Sequence, residues 1–196
     1  MNLSPKFEEA LVYATRVHGG QLRKKTRIPY IGHLLGVTAI AMEYGANETE
    51  AIAALLHDAV EDCGGVERQR EIEEKFGPEV GEIVAGCTDS DQTPKPPWRE
   101  RKEKYIAHLK TASAATRLVS ASDKLHNCRA IVHNLREEGE SVWDRFKTGK
   151  EGALWYYRSL VTAFCEHGRS ALIDELDRVV TEMEQLAEQQ AQSFTR

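Results

Sequence analysis

Helical periodicity dominates this sequence and leaves little room for other secondary structure. Apolar residues recur three and four positions apart through most of the chain, and the segments that carry them are bounded by helix start and stop signals. Ser4 followed by Pro5 predicts one helix start, and Asn47 with Glu50 three residues later predicts a capping box. No convincing run alternates apolar and polar residues as a strand would. The pattern therefore predicts an all-α fold, a helical bundle of roughly eight to ten helices.

Domain organisation follows from the breaks in this pattern. Residues 88–97, TDSDQTPKPP, predict the clearest loop. We find neither an internal repeat nor a second domain boundary, so we predict a single domain over residues 1–196, with residues 170–196 forming a C-terminal helix and a polar tail. An apolar stripe on that helix favours packing on its own domain, and a homodimer contact is the alternative. The stripe consists of Leu172, Leu176, Val179, Met183 and Leu186.

Composition argues against several classes of protein. The net charge of −5 gives no overall attraction for nucleic acid or for an anionic membrane. No apolar run approaches the ~20 residues that span a bilayer, and the N-terminal MNLSPKFEEA lacks the apolar core of a signal peptide. The four cysteines lie far apart without a CxxC pair, which favours reduced thiols over disulfides or a zinc ribbon. We therefore expect a cytoplasmic protein.

The segment AALLHDAVEDC, residues 53–63, places an imidazole and three carboxylates at the end of an apolar run. On a continuous helix with His57 at 0°, Glu61 falls near ~40°, Asp58 near ~100° and Asp62 near ~140°, opposite the apolar face. An adjacent His–Asp pair on this face can reach one cation, and the two acids one turn later could hold a water. A solvated helix end is the alternative, and for the His–Asp pair alone it is the more common one.

Two further segments favour a metal site. PYIGHLLGV places His33 on the preceding predicted helix, and LVSASDKLHN places Asp123 among apolar residues, where an unpaired carboxylate is costly. Together with His57 and Asp58, these residues can supply four ligands from three helices. Mixed imidazole and carboxylate ligation suits a divalent transition ion such as manganese, iron or zinc.

The order H…HD…D resembles the signature of HD-superfamily metal-dependent phosphohydrolases. HGGQLRKKTRIPYIGH, ALLHDAVED and DKLHN are further similar to the hydrolase domain of RelA/SpoT-type stringent-response enzymes and to free-standing small alarmone hydrolases, over about residues 4–160. The resemblance implies a hydrolase with one divalent ion, manganese, that removes the 3′-pyrophosphate from a guanosine alarmone such as ppGpp. It implies that His33, His57, Asp58 and Asp123 are the metal ligands.

The same resemblance assigns roles around the metal. Glu61 and Asp62 correspond to the family's ED pair, which positions or deprotonates the attacking water. Arg23 and Lys24 match the family's basic pair, whose arginine packs against the base. Asn127 matches a nucleotide-contacting asparagine of the family.

Three further candidates have a structural alternative. Arg101 and Lys102, in the run ERKEKY, could contact phosphate, and a solvated helix face is the alternative. Tyr157 aligns loosely with a family tyrosine beside the nucleotide, and core packing is its alternative. Four of the other histidines raise the alternative of a second metal, although no additional histidine motif supports it. They are His18, His108, His126 and His133.

Three positions depart from the family pattern. Leu34 replaces the usual proline, Cys63 replaces a common threonine, and RKKTRIPY lacks the glycine usual before proline. The loop change affects base recognition and leaves an adenosine alarmone as an alternative substrate. An HD-type nucleotidase, an NADPH phosphatase and a non-catalytic nucleotide-binding regulator are the alternative functions. The regulator would lack the water-activating acids, whereas this sequence has both Glu61 and Asp62.

Overall fold

The computed structural model describes residues 2–90 and 94–193. Within these residues the chain forms ten α-helices and one 3₁₀-helix, with an isolated β-bridge between Leu22 and Pro29, so the predicted all-α fold is confirmed. The first six helices are α1 (Pro5–Val17), α2 (Ile31–Glu43), α3 (Glu48–Leu56), α4 (Ala59–Cys63), α5 (Gly65–Phe76) and α6 (Pro78–Cys87). They are followed by α7 (Trp98–Leu109), α8 (Ala114–Glu138), the 3₁₀-helix Gly139–Arg145, α9 (Gly149–Cys165) and α10 (Ala171–Ser193).

Side-chain caps fix the starts of α1 and α3 where the sequence predicts them. The Ser4 hydroxyl accepts a hydrogen bond from the backbone N–H of Lys6 at 3.2 Å, and Pro5 is the first helical residue. Asn47 Oδ1 accepts from the Glu50 N–H at 3.0 Å, while Glu50 Oε2 accepts from the Asn47 N–H at 2.7 Å. Each cap stabilises its helix by about 1 kcal/mol.

The predicted continuous helix that carries His57, Asp58, Glu61 and Asp62 is wrong. The first helix, α3, ends at Leu56, the second, α4, begins at Ala59, and His57 and Asp58 form the turn between them. The His57 side chain supplies a physical reason, because its Nδ1 lies 2.8 Å from the carbonyl oxygen of Ala54. In an uninterrupted helix that carbonyl would accept from the backbone N–H of Asp58, so the imidazole competes with the helical bond.

The chain divides into two compact units, and the first extends to Asp123. Helix α3 is central to it and packs against α1, α2 and α6. Every residue of α3 from Ala51 to Leu56 is at most 1% exposed. A helix that is apolar on all sides is stable only when it is surrounded by other elements. The buried α3 therefore gives a rigid base to the turn that holds His57 and Asp58.

The second unit begins at Lys124 and contains the rest of α8, the 3₁₀-helix, α9 and α10. Its apolar stripe lies against this unit's own interior, since Leu172, Leu176, Val179 and Met183 are all buried and α10 packs on α9. The helix α10 continues to Ser193, and residues 194–196 of the predicted polar tail lie outside the described residues. The single-domain assignment and the homodimer contact stay predictions.

The composition led us to expect reduced cysteines and no membrane-spanning segment. All four cysteines are free thiols. Across residues 2–90 and 94–193, none of the helices is both long enough and apolar enough to traverse a membrane.

Candidate metal centre

Four predicted side chains meet in the first unit. His33 comes from α2, His57 and Asp58 from the turn between α3 and α4, and Asp123 from α8. The Nε2 atom of His33 lies 3.5 Å from Asp58 Oδ2 and 3.2 Å from Asp123 Oδ1. The Nε2 atom of His57 lies 3.1 Å and 3.6 Å from the same two oxygens. These residues form what we call the His–Asp cluster.

The cluster is largely buried. The side chains of His33, His57 and Asp123 are 1%, 2% and 7% exposed, whereas Asp58 is 20% exposed. Solvent therefore reaches the cluster mainly through Asp58. A small ion or water can approach from that side while the other three side chains stay fixed by packing.

The tautomer of His57 indicates that the cluster needs a positive charge. Its Nδ1 must donate to the carbonyl oxygen of Ala54, because a carbonyl has no proton to give. In the neutral imidazole this leaves Nε2 as a lone pair directed at carboxylate oxygens, and within the described part of the chain Nε2 has no hydrogen-bond partner. A lone pair that faces two carboxylates is unfavourable unless a proton or a cation lies between them.

The spacing of these atoms fits a divalent ion. Two ligand atoms about 2.1 Å from one ion lie roughly 3.0 Å apart at right angles and roughly 3.4 Å apart at the tetrahedral angle. The four nitrogen–oxygen separations run from 3.1 to 3.6 Å. The ligand atoms of His33, His57 and Asp58 also lie within 4.8 Å of one another. Two imidazoles and two carboxylates therefore form a set that a divalent transition ion can accept.

The electrostatics of the cluster agree with this geometry. Burial alone would lower the pKa of His57, but Asp58 and Asp123 raise it well above its usual value. Burial would raise the pKa of Asp58, but His57 and His33 hold it well below its usual value. The ionised carboxylates thus strongly favour a positive charge at their centre.

Tyr30 orients Asp58, and sequence reasoning did not assign it a role. Its hydroxyl donates to Asp58 Oδ2 at 2.6 Å, and its ring meets that of His33 edge-on with centroids 5.4 Å apart. Burial, followed by the charge of Asp58, raises the pKa of Tyr30 far above its usual value, so the hydroxyl keeps its proton. The sequence feature that could have pointed to Tyr30 is its position in PYIGH, three residues before His33.

Glu61 and Asp62 lie one turn after Asp58 but differ in environment. Glu61 is half-buried and its Oε1 pairs with Lys95 Nζ at 2.7 Å, whereas Asp62 is exposed and accepts from Gln21 Nε2 at 2.8 Å. Burial, followed by the negative charge of Asp89, raises the pKa of Glu61, and Lys95 opposes this rise. A carboxylate with a raised pKa is better suited to accept a proton near neutral pH.

Arg101 and Lys102, expected to contact phosphate, both form ion pairs with Asp89. The Asp89 side chain is only 4% exposed. Burial would raise the pKa of Asp89, but Lys102 and Arg101 lower it below its usual value. Sequence reasoning missed both Asp89 and Lys95, which flank residues 91–93 of the proline-rich loop; those three residues lie outside the described residues.

Arg23 and Lys24 lie on the loop between α1 and α2, whose two ends contact the candidate site. At one end Gln21 reaches Asp62, and at the other end Tyr30 reaches Asp58. The ends are joined by a backbone hydrogen bond from Tyr30 N to Gln21 O of 2.9 Å. Arg23 is half-buried and Lys24 is exposed. The loop that carries Arg23 and Lys24 is therefore anchored at both ends to residues of the candidate site.

Asn127 and Tyr157, the remaining predicted substrate contacts, belong to the second unit. Asn127 lies on α8. Tyr157 lies on α9 and is buried, with its ring edge-on to that of Tyr156 at 5.8 Å between centroids. Their contacts with a nucleotide stay predictions.

The chain is similar to a known protein family and to several named proteins. Residues 10–155 match the model of the HD domain family. A guanosine-3′,5′-bis(diphosphate) 3′-pyrophosphohydrolase, MESH1, from Xenopus tropicalis is 41% identical over 126 residues, which cover 63% of this chain and 68% of that protein. A GTP pyrophosphokinase from Myxococcus xanthus is 33% identical over 138 residues, which cover 67% of this chain. The matched part spans 18% of the length of that kinase.

A solved structure is similar as well. It is described as a metazoan ortholog of SpoT that hydrolyzes ppGpp and plays a role in starvation responses. The similarity covers 93% of this chain and 97% of that one, with a TM-score of 0.77 and 28% sequence identity.

Proposed function

This chain belongs to the HD domain family, and we propose that it hydrolyses the 3′-pyrophosphate of a nucleotide alarmone, (p)ppGpp or a related adenosine form. The products are a nucleoside 5′-phosphate and pyrophosphate. The observation that carries this proposal is the convergence of His33, His57, Asp58 and Asp123 in a chain that is 41% identical, over 126 residues, to a named 3′-pyrophosphohydrolase.

The His–Asp cluster would hold one divalent ion, for which we propose manganese. When bound, the ion supplies Lewis acidity and neutralises charge on the phosphate oxygens. His33, His57, Asp58 and Asp123 are the ligands in this proposal. The Tyr30 hydroxyl keeps Asp58 oriented through its 2.6 Å hydrogen bond.

Glu61 is the proton acceptor in the proposed reaction. Water adds to the phosphorus that is bonded to the 3′ oxygen, the bond between this phosphorus and the 3′ oxygen breaks, and the departing 3′ oxygen takes up a proton from solvent. Glu61 takes the proton that the water loses; the pKa values of Glu61 and Asp62 are both raised, and the half-buried position of Glu61 favours it for this role. Asp62, one residue later, orients the water.

Basic and polar side chains bind the nucleotide in this proposal. The guanidinium plane of Arg23 packs against the base, which an ammonium group cannot do. Lys24, Arg101 and Lys102 balance the charge of the phosphates, and for the last two this requires sharing or exchanging their present partner Asp89. The contacts of Asn127 and Tyr157 with the nucleoside stay predictions from the family resemblance.

Turnover against a panel of nucleotides tests the proposal. The purified chain, with manganese or with chelator, is given ppGpp, its adenosine analogue, deoxynucleoside monophosphates and NADPH, and both pyrophosphate and orthophosphate are measured. Pyrophosphate released from an alarmone only with the metal present supports the proposal. Orthophosphate from deoxynucleoside monophosphates would instead support the nucleotidase, and orthophosphate from NADPH would support the phosphatase.

The variant Glu61→Gln separates an enzyme from a nucleotide-binding regulator. It should lower kcat by about 10²- to 10⁴-fold, the usual contribution of a general base, while manganese still binds in calorimetry. Glu67→Gln, an exposed change on α5, is the matched control and should leave kcat unchanged. Nucleotide binding by the wild type without any turnover would establish the regulator.

A further inference from the structure

A chain of hydrogen bonds links the end of α1 to Asp62. His18 follows the last residue of α1, and its Nδ1 lies 2.7 Å from Gln21 Oε1. Gln21 Nε2 in turn lies 2.8 Å from Asp62 Oδ2. Both bonds are of normal length, and the second joins residues that are 41 positions apart in the sequence.

The direction of each hydrogen bond follows from the chemistry of the groups. An ionised carboxylate only accepts, so the amide nitrogen of Gln21 donates to Asp62 and its carbonyl oxygen faces His18. That oxygen can only accept, so Nδ1 of His18 carries a proton. The thiol of Cys63 lies 3.7 Å from the same oxygen and donates to it weakly. The Gln21 amide is therefore fixed in one orientation.

His18 is itself held firmly. It is 4% exposed, and its ring stacks on that of Tyr30 with centroids 5.3 Å apart and planes 19° apart. Tyr30 is the residue whose hydroxyl donates to Asp58. His18 therefore contacts both the residue that orients Asp58 and the residue that binds Asp62.

We propose that Gln21 is a positioning residue that, held by His18, fixes the carboxylate of Asp62 for the hydrolytic reaction. The inference rests on the proposed function. Asp62 is exposed, and without the Gln21 amide its carboxylate would be free to adopt several orientations in water. A fixed acceptor is needed to hold a water in line with a phosphorus atom, because small displacements of reacting groups are costly in rate. Gln21 acts on the reaction only through Asp62.

A double-mutant cycle tests this inference. Gln21→Leu removes both amide hydrogen bonds at similar volume and should lower kcat on the order of 10-fold, with KM little changed. In the Asp62→Ala background the same change should lower kcat no further, because the group it positions is absent. Gln185→Leu, an exposed change on α10, is the matched control and should have no effect. Gln21→Met replaces Gln21→Leu if that variant does not fold.

Substitution of His18 provides a rescue test. Asn keeps a donor near the position of Nδ1, whereas Phe keeps only the ring. His18→Asn should retain most of kcat and His18→Phe should show the loss seen with Gln21→Leu.

Three outcomes would overturn the inference. Additive losses of kcat in the cycle, or equal losses for the two His18 variants, would show that Gln21 and His18 only support the structure. If the variants give either result while the wild type releases pyrophosphate from an alarmone, the proposed function stays intact. A wild type that releases pyrophosphate from neither ppGpp nor its adenosine analogue rejects the proposed function and this inference together.

Discussion

Oδ1 of Asp123 lies 3.2 Å from Nε2 of His33, which joins α8 to α2 at a buried point of the first unit. A carboxylate at 7% exposure near the buried Ala121 and Leu125 is unfavourable unless it is paired. A positive charge among the two carboxylates and the two imidazoles reduces this cost. The cluster therefore couples the stability of the first unit to the presence of a cation.

A bound metal should stabilise the folded chain. An ion that binds only the folded state, present at 100 times its Kd, adds about 2.7 kcal/mol to the free energy of unfolding. Manganese should therefore raise the Tm of the wild type in calorimetry, and chelator should reverse the increase. Asp123→Asn removes one proposed ligand charge and should lose most of this increase in Tm. Asp174→Asn, an exposed change on α10, is the control and should keep it.

Tyr30→Phe should weaken metal binding without unfolding the protein. The change removes the hydroxyl that donates to Asp58 Oδ2 at 2.6 Å but keeps the ring that stacks on His18. Loss of such a partner of a metal ligand typically lowers metal affinity or activity by about 10- to 100-fold. Titration calorimetry with manganese measures the effect directly. Tyr44→Phe, at the other end of α2, is the control. If Tyr44→Phe lost as much manganese affinity as Tyr30→Phe, the role of Tyr30 in orienting Asp58 would be contradicted.

The residues of the candidate site were predictable where residue type and spacing carry the information. The pair His57 and Asp58, with His33 and Asp123, could be selected because imidazole and carboxylate groups next to apolar runs are unusual and match a family pattern. The helix caps at Ser4 and Asn47 were also predictable, because each depends only on residues close together in the sequence. The break between α3 and α4 was not predictable from periodicity, since it depends on a side chain of His57 competing for one backbone carbonyl.

Tertiary pairing was the part that the sequence could not reveal. Lys95 and Asp89 lie in a loop without periodicity, and only the folded chain brings them to Glu61, Arg101 and Lys102. The hydrogen bond between Gln21 and Asp62 is likewise long-range. Such contacts decide pKa values and side-chain orientation, so the sequence could suggest candidate reactive groups more readily than the residues that surround and orient them.

Lys95→Met should move the acid limb of the activity to higher pH. Glu61 must be ionised to accept a proton, and burial and Asp89 already raise its pKa while Lys95 opposes them. Removal of the ammonium group raises the pKa of Glu61 further, so the rate is lost at a higher pH as the solution is acidified. The pH profile of kcat at saturating substrate measures this. Lys147→Met, an exposed change, is the control and should leave the pH profile unchanged. An acid limb at unchanged or lower pH in Lys95→Met would refute the assignment of Glu61 as the proton acceptor.

Asp89→Asn should destabilise the protein at neutral pH but not in strong acid. The folded-state pKa of Asp89 is lowered by Lys102 and Arg101, so its contribution to stability is present above the ordinary carboxyl pKa and is lost as the pH falls through the folded value. Asparagine leaves the two cations without their counter-charge. Because their side chains are 14% and 18% exposed, we expect a loss of about 2 kcal/mol at pH 7, less than for a fully buried pair.

Urea unfolding of the wild type and Asp89→Asn across pH 2–7 checks this expectation, with Glu103→Gln as the control. Glu103 also pairs with an arginine, Arg99, but both side chains are 56% exposed, so its loss should cost at most about 0.5 kcal/mol at any pH. The difference in unfolding free energy between the wild type and Asp89→Asn should shrink as the pH falls below about 3.9, the ordinary carboxyl value. A difference that stays constant across the range would show that Asp89 stabilises the fold by packing and not by charge.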